Sequence, residues 1–191
     1  MKLMIASDIH GSATWCERLL EAWRRERPER LVLLGDLLYH GPRNGLPVDY
    51  DPVRVADLLN AVKDRILYVR GNCDSEVDQM MLSFPILTES CTVYLDGITL
   101  FATHGHVWNL NHPPLLRRGD CLVHGHTHVP AWEPFGEGCM YLNPGSVAIP
   151  KGGAPHSCIV LEAGRFRWLD LAGGGDFHSL ALEEDAVWSH I

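Results

Sequence analysis

The hydrophobic residues of this chain fall into short runs, and each run ends at a glycine, aspartate, asparagine or histidine. The runs are rich in valine, isoleucine and leucine and are bounded by turn-forming residues, which is typical of buried strands. They lie at residues 2–7, 31–34, 66–69, 98–103 and 121–123. The pattern therefore predicts five strands, each followed by a polar turn.

Helical patterns separate the early strands. Apolar residues at one-turn spacing predict a first helix from Ser12, as its N-cap, to about Arg27. Asp51 as N-cap and Pro52 at the first helical position predict a second helix. Its apolar stripe consists of Val55, Leu58, Leu59 and Val62. The order β-α-β-α-β implies that these early strands are parallel.

The chain after residue 85 favours strands over helices. Further strand patterns occur at 92–95, 131–135, 139–142, 157–161 and 166–171. An α/β half joined to a strand-rich half predicts two packed mixed sheets with helices outside. We expect a single domain at 1–172 and a C-terminal tail at 173–191, in which residues 177–182 could add an edge strand.

Composition narrows the class of protein. The 191 residues, 46% of them hydrophobic, suit one globular domain with a buried core. The formal charge of −8 disfavours a protein that grips long nucleic acid, although bound metal ions could still attract a phosphate. The N-terminal apolar run is too short for a signal peptide or a membrane span, and the six cysteines form no CxxC pair. We expect a cytoplasmic protein with reduced thiols and no membrane partner.

Residues able to bind metal follow the predicted strands. Five of the eleven histidines fall between His104 and His128. Ligands of open α/β sheets bind at the carboxyl ends of the strands, where this chain places Asp8, His10, Asp36, Asn72, His104, His126 and His128. Such a mixture of carboxylate, amide and imidazole suits Mn²⁺, Fe²⁺, Co²⁺, Ni²⁺ or Zn²⁺ better than Ca²⁺ or Mg²⁺. In a fully extended strand Asp8 and His10 would point to one side, as would His126 and His128.

The ordered set DxH, GD, GN, GH and GHxH resembles the calcineurin-like metallophosphoesterase family over residues 1 to about 150. Gly71-Asn72-Cys73-Asp74 and Asn143-Pro144-Gly145-Ser146 are similar to its small bacterial phosphodiesterase branch. The resemblance implies a four-layer α/β/β/α sandwich. It also implies two divalent cations, with Asp8, His10, Asp36 and His128 around one and Asp36, Asn72, His104 and His126 around the other.

The same resemblance implies the chemistry. A hydroxide bridging the cations would attack phosphorus, with Mn²⁺ the favoured metal and Ni²⁺, Co²⁺, Fe²⁺ and Zn²⁺ left open. The residues with catalytic roles would be Asp36, Asn72, Cys73 and His104. Many members have histidine where this chain has Cys73, and a thiol donates a proton to phosphate less readily than imidazolium does. We therefore expect a phosphodiesterase of small substrates with weak monoesterase activity.

Several alternatives remain open. The chain could be a non-catalytic binding scaffold of the same fold, a nucleotidase or phosphomonoesterase, or a nuclease. His40 and His106 could donate a proton, Arg43 and Arg70 could contact substrate, and Asp74 could orient a ligand or cap a short helix at 76–82. His124 is predicted to be structural, and residues 143–146 to shape a loop under the site. A homo-oligomer that uses the apolar segment 80–87 is also open.

Overall fold

The computed structural model describes residues 1–182 of the chain. Its helices are α1 (Ala13–Glu26), α2 (Pro52–Asn60) and α3 (Glu76–Met81), and a short 3-10 turn spans Lys63–Arg65. Its strands are β1 (Lys2–Ala6), β2 (Arg30–Leu33), β3 (Ile66–Tyr68), β4 (Ser90–Leu95), β5 (Ile98–Thr103), β6 (Cys121–Val123), β7 (Ala131–Phe135), β8 (Cys139–Asn143), β9 (Ser157–Glu162), β10 (Arg165–Asp170) and β11 (Asp176–Ala181). The predicted elements thus occur within one to three residues of their expected bounds.

The strands form two mixed sheets. The first has the order β11-β10-β9-β1-β2-β3, and the second has the order β4-β5-β6-β8-β7. Strands β1, β2 and β3 run parallel, as do β5, β6 and β8, whereas the remaining pairings are antiparallel. The parallel strands of each sheet therefore end at a common edge. The last strand, β11, is the edge strand of the first sheet on the side away from β3. The tail from residue 183 lies outside the described residues.

Strand β1 shows how the two sheets are held together. Its Leu3 and Ile5 belong to a hydrophobic cluster that includes residues of both sheets, whereas Met4 and Ala6 belong to a cluster shared with α1 and α2. The alternation follows from the two-residue period of a strand. All four side chains are at most 1% exposed, so the first sheet is buried on both faces at this strand. The prediction of two packed mixed sheets with helices is confirmed.

The N-caps of α1 and α2 lie where sequence predicted them, at Ser12 and Asp51. The hydroxyl of Ser12 makes no capping bond to α1 and instead donates to the carbonyl of Val48, 2.6 Å away. Asp74 does not cap α3, because Ser75 and Asp78 form a reciprocal capping box there. The cap of α2 was predicted correctly, since the Asp51 side chain accepts from the amide of Arg54. Asp74 is thereby left for another role.

The helices and the segment 80–87 bear on contacts with a membrane or with other chains. No helix among residues 1–182 is long and apolar enough to cross a membrane. In the segment 80–87, Met80 is 86% exposed, whereas Leu82, Phe84 and Ile86 are buried in the cluster under α1 and α2. Much of this segment therefore packs into the chain itself, and the oligomeric state stays a prediction.

Candidate metal centre

The seven predicted ligands lie in the loops that leave the carboxyl ends of five strands. Asp8 and His10 follow β1, Asp36 follows β2, Asn72 follows β3, and His104 follows β5 directly. His126 and His128 follow β6. Because β1, β2 and β3 run parallel in one sheet and β5 and β6 in the other, residues far apart in sequence meet at one end of the molecule.

The local backbone differs from the extended form expected from sequence. Five of the seven residues have positive φ values between 48° and 64°, in the left-handed region: Asp8, His10, Asp36, His126 and His128. Non-glycine residues seldom adopt this conformation, which costs about 1–3 kcal/mol each and clusters at functional sites. The strands therefore stop before the ligands, and tight turns rather than the strand pleat aim their side chains.

Two glycines allow the loops to approach one another. A Cβ at Gly71 would lie 2.0 Å from Oδ1 of Asp36, and a Cβ at Gly125 would lie 2.6 Å from Oδ2 of Asp8. Real Cβ atoms do not come so close to another heavy atom. Glycine at 71 and 125 is thus required by the packing of the two aspartates.

The first group of potential ligands surrounds Asp8. Oδ1 of Asp8 lies 3.4 Å from Nε2 of His10 and 3.2 Å from Nε2 of His128. Nε2 of His10 also lies 3.7 Å from Oδ2 of Asp36. The ligand atoms of Asp8, His10 and His128 all fall within 4.8 Å of one another, so one cation could contact all three.

The second group surrounds His104. Its Nε2 lies 3.0 Å from Oδ1 of Asn72, 3.1 Å from Nδ1 of His126 and 3.5 Å from Oδ2 of Asp36. Asp36 thus faces both groups, because its Oδ2 is within 4 Å of His10 and of His104. The structure brings all seven predicted side chains together, with Asp36 between the two groups.

Hydrogen bonds to the backbone set the orientation of three imidazoles. Nδ1 of His10 lies 2.8 Å from the carbonyl of Tyr39, Nδ1 of His104 lies 2.7 Å from that of Leu34, and Nδ1 of His128 lies 2.8 Å from that of Ile149. A carbonyl only accepts, so each Nδ1 carries a proton and, in the neutral ring, each Nε2 carries a lone pair. Metal-binding histidines are held in this way by neighbouring groups.

Those lone pairs face other electron-rich atoms. Nε2 of His10 and Oδ1 of Asp8 are buried, and neither has a hydrogen-bond partner of acceptable geometry among residues 1–182. A buried polar atom without a partner is unfavourable unless a bound water or ion satisfies it. A set of converging lone pairs and carboxylates without donors fits divalent cations.

The pKa values describe the same excess of negative charge. Burial alone would raise the pKa of Asp8, but the neighbouring imidazoles of His10 and His128 hold it well below the usual 3.8. Burial would lower the pKa of His10, yet Asp8 and Asp36 raise it above 6.5. Burial raises the pKa of Asp36, an effect that His104 opposes and Asp8 reinforces. The centre therefore attracts positive charge.

Asp74 is part of the support beneath Asp36. Its Oδ2 accepts from the amides of Asp36 at 2.8 Å and Gly71 at 2.6 Å, and its Oδ1 accepts from the amide of Leu37 at 3.0 Å. Oδ2 also accepts from the hydroxyl of Tyr68, whose pKa is raised well above 10 by burial and by Asp74 itself. Asp74 thus joins the loops after β2 and β3, a role that sequence left as one of two alternatives.

Cys73 lies beside the first group. Its amide donates to Oδ1 of Asp36 at 2.8 Å, and its Sγ accepts from the Asn72 amide group at 3.2 Å. Burial, with Asp36 adding to it, raises the pKa of the thiol above 9.0. Burial and the nearby carboxylate of Asp36 therefore favour the neutral thiol form of this side chain.

The other candidates differ in their distance from the centre. The His106 ring lies 5.4 Å from that of His104, and burial, together with His104, lowers its pKa. His124 is buried against Tyr141, and burial lowers its pKa to about 4, in keeping with a structural role. Arg70 pairs with Glu89 at 3.5 Å, which leaves it less suited to a substrate than Arg43.

A cavity of about 480 Å³ opens onto the centre. Arg43 lines it, as do Asp36, Asn72, Cys73, His126 and His128. Lys151 and Asn44 also line it, and sequence reasoning missed both because neither belongs to a motif. The loop at 143–146 lies under the site as predicted, since the Ser146 hydroxyl donates to the carbonyl of Asp8 at 2.9 Å.

Comparison with known proteins agrees with this geometry. The model of the calcineurin-like phosphoesterase superfamily domain matches residues 1–165. Phosphodiesterase YfcE of Escherichia coli is 52% identical over 162 residues, which are 85% of this chain and 88% of that protein. Phosphodiesterase MJ0936 of Methanocaldococcus jannaschii is 25% identical over 157 residues, 76% of this chain and 83% of that protein.

Solved structures give the same result. The structure of YfcE, described as a phosphoesterase from E. coli, matches with a TM-score of 0.92 and 47% identity, covering 96% of this chain and 100% of that one. A Vps29 variant from Entamoeba histolytica shares the fold alone, with a TM-score of 0.60 and 18% identity over 96% of this chain and 100% of that one. The chain belongs to the calcineurin-like phosphoesterase superfamily and is a metal-dependent hydrolase of phosphoester bonds.

Proposed function

We propose that this chain hydrolyses small phosphodiesters at a centre of two divalent cations. The cations would be held by Asp8, His10, Asp36, Asn72, His104, His126 and His128, with Asp36 shared. The observation that carries the proposal is the fixed orientation of three imidazoles, whose unprotonated Nε2 atoms face the carboxylates of Asp8 and Asp36. The names of the two relatives, both phosphodiesterases, support the choice of diesters.

The metal ions, when bound, supply Lewis-acid polarisation of the ester and a water molecule of lowered pKa. The residues of the chain bind and orient the cations and the substrate. Asp8 and Asp36 hold the negative charge that binds the cations, and the carbonyls of Tyr39, Leu34 and Ile149 keep the imidazoles turned toward them. Arg43 and Lys151 line the cavity on the centre and can bind phosphate oxygens.

Cys73 supports a preference for diesters over monoesters. It lines the same cavity, and its raised pKa makes it a weak proton donor to a leaving group. The diester carries one negative charge fewer than the monoester dianion, so it depends less on added positive charge and on protonation.

We propose Mn²⁺ as the metal, with Ni²⁺, Co²⁺, Fe²⁺ and Zn²⁺ as alternatives. The predicted donor set combines two carboxylates, an amide oxygen and four imidazoles, which suits these ions better than Ca²⁺ or Mg²⁺. We also propose a cytoplasmic location, which the six free cysteines favour because disulfides form in oxidising compartments.

The proposal is tested by removing metal with a chelator and restoring Mn²⁺, Ni²⁺, Co²⁺ or Zn²⁺ singly. We expect hydrolysis of bis(p-nitrophenyl) phosphate to vanish after chelation and to return with at least one ion, most strongly Mn²⁺. The monoester p-nitrophenyl phosphate should be hydrolysed more slowly. Metal binding without hydrolysis of either ester would instead favour a scaffold, and a strong preference for the monoester would favour a phosphomonoesterase.

The Asp36→Asn variant makes the test specific to the shared ligand. The variant should lose the activity that metal restores. Replacing the carboxylate of Asp36 by an amide removes a negative charge that both groups of proposed ligands share. Asp64→Asn is the matched control, since Asp64 is exposed in the 3-10 turn and away from the centre. Full activity of Asp36→Asn would contradict the assignment.

A further inference from the structure

A second cavity adjoins the metal centre, and neither Arg43 nor Lys151 lines it. It has a volume of about 510 Å³ and is lined by parts of the loop after β5, by β7 and by Tyr141 of β8. His126 and Thr127 line both this cavity and the cavity of about 480 Å³ described above. The loop after β6 is thus the shared wall between two spaces.

The two cavities differ in charge. Arg43 and Lys151 line the first, and neither has a carboxylate within 4.0 Å among residues 1–182. The second has no lysine or arginine in its lining, and it is lined by the carboxylate residue Glu133. Since the chain as a whole carries a charge of −8, unpaired cations beside the centre favour a ligand with negative charge there.

The second cavity has the surface of a site for an uncharged ring. Leu110, Val129, Pro130 and Ala131 give it apolar walls, and Tyr141 adds an aromatic side chain. Leu110 and Val129 are 38% and 42% exposed, so these apolar side chains are in contact with solvent when the cavity is empty of ligand. Most of the other lining residues are polar, and a cavity that combines apolar walls with polar groups is typical of sites that bind small molecules.

We propose that the two cavities are separate subsites for the two arms of an asymmetric phosphodiester. The cavity with Arg43 and Lys151 takes an arm that carries a second anionic group, such as a carboxylate or a phosphate. The cavity with Leu110 and Tyr141 takes an uncharged ring. This inference rests on the proposed function, and it adds the class of diester that the centre accepts.

The test compares two esters that differ in one charge. Both are p-nitrophenyl phosphodiesters, one of butanol and the other of γ-hydroxybutyrate. In each reaction water adds a hydroxyl group to phosphorus, the bond to the p-nitrophenyl oxygen breaks, p-nitrophenolate leaves and a proton passes to solvent. We expect the KM of the carboxylate-bearing ester to be lower by roughly five- to tenfold, as expected for a charge-assisted contact.

Charge variants locate the effect. Arg43→Gln combined with Lys151→Gln should abolish the difference in KM between the two esters, so the ratio of the two KM values is the readout, whatever happens to the KM of the butyl ester. Lys63→Gln is the matched control, because Lys63 is an exposed cation in the 3-10 turn and should retain the full difference. Equal KM values in the unmodified chain, or a difference that persists in the double variant, would overturn the anionic subsite.

Apolar variants test the ring subsite independently. Leu110→Ala should raise the KM of both p-nitrophenyl esters about threefold, because it removes part of the apolar wall. Leu115→Ala is the control, since Leu115 lies in the same loop, is fully exposed and lines neither cavity. Identical KM values for the two leucine variants would overturn the ring subsite.

Binding separates this inference from the proposed function. Phosphonate analogues of the two esters, with carbon in place of the ring-side ester oxygen, are titrated into the metal-loaded chain in a calorimeter. If neither ester is hydrolysed, the proposed function fails, yet the analogues still decide the subsites. The carboxylate-bearing analogue should bind more tightly to the unmodified chain and lose this advantage in the Arg43→Gln, Lys151→Gln variant. Equal affinities would overturn the anionic subsite whatever the activity.

Discussion

At the scale of single residues, the centre depends on which ring nitrogen of each histidine carries no proton. Sequence predicted the seven ligands from their residue types and their places after strands. It could not predict that carbonyls of Tyr39, Leu34 and Ile149 fix the tautomers, because any residue supplies a carbonyl. The fold determines which carbonyls accept these hydrogen bonds, whereas the motif specifies only the histidines.

Cys73 gives the first residue-scale prediction. Cys73→His should raise the turnover of phenyl phosphate by roughly 10- to 100-fold, because phenolate is a poor leaving group that imidazolium protonates better than a neutral thiol does. Steady-state kinetics of the Mn²⁺-loaded variant measure the effect. Cys73→Ala is the control and should show no such gain. An unchanged or lower monoester turnover in Cys73→His would show that the missing imidazole is not limiting.

The hydrogen bonds of Asp74 predict an effect on the stability of the chain and not on the reaction itself. In the metal-free chain Asp74→Asn should reduce the free energy of unfolding by about 2–4 kcal/mol, because buried donors of Asp36, Leu37, Gly71 and Tyr68 lose a charged acceptor. Urea denaturation measures it. The exposed Asp64→Asn should change the value by less than about 0.5 kcal/mol. A comparably small loss for Asp74→Asn would contradict the role assigned to this carboxylate.

At the scale of elements, short runs of apolar residues predicted the strands well, because β1 and its neighbours are buried on both faces. The turns after the strands were predicted less well. Sequence predicted a turn after each strand but not its conformation, and the left-handed backbone of Asp8 and His10 had no local signal. Ser12 is the N-cap residue of α1 as predicted, but its hydroxyl donates to a distant carbonyl, that of Val48, and not to the helix. Long-range contacts of this kind leave no local signal.

The approach of the loops after β2 and β3 gives an element-scale prediction. Gly71→Ala should weaken Mn²⁺ binding by at least about tenfold, because its Cβ would displace Asp36, whose Oδ1 lies 2.0 Å from the Cβ position. Calorimetric titration with Mn²⁺ measures the change. Gly45→Ala is the control, since its Cβ would meet nothing within 4 Å. Unaltered Mn²⁺ affinity in Gly71→Ala would show that this contact does not position Asp36.

At the scale of the whole molecule, metal binding and stability should be linked. The proposed ligands come from loops of both sheets, so cations bound to them would stabilise the folded chain relative to the unfolded one. At a free Mn²⁺ concentration 100 times the Kd, the gain is about 2.7 kcal/mol, which corresponds to a rise in Tm of roughly 5–10 °C. The rise should shrink as pH falls, because protons compete with metal for the imidazoles. Calorimetric melting with and without Mn²⁺ measures it, and an unchanged Tm would contradict the linkage.

The central claim is that seven side chains from two sheets hold two cations. Its most direct measurement is the number of metal ions per chain, determined by inductively coupled plasma mass spectrometry on tag-free protein after chelation, reloading with Mn²⁺ and removal of unbound ion. We expect a metal content of two ions per chain in the unmodified protein and fewer in Asp36→Asn. Failure to retain metal, or an equal content in Asp36→Asn, would contradict it.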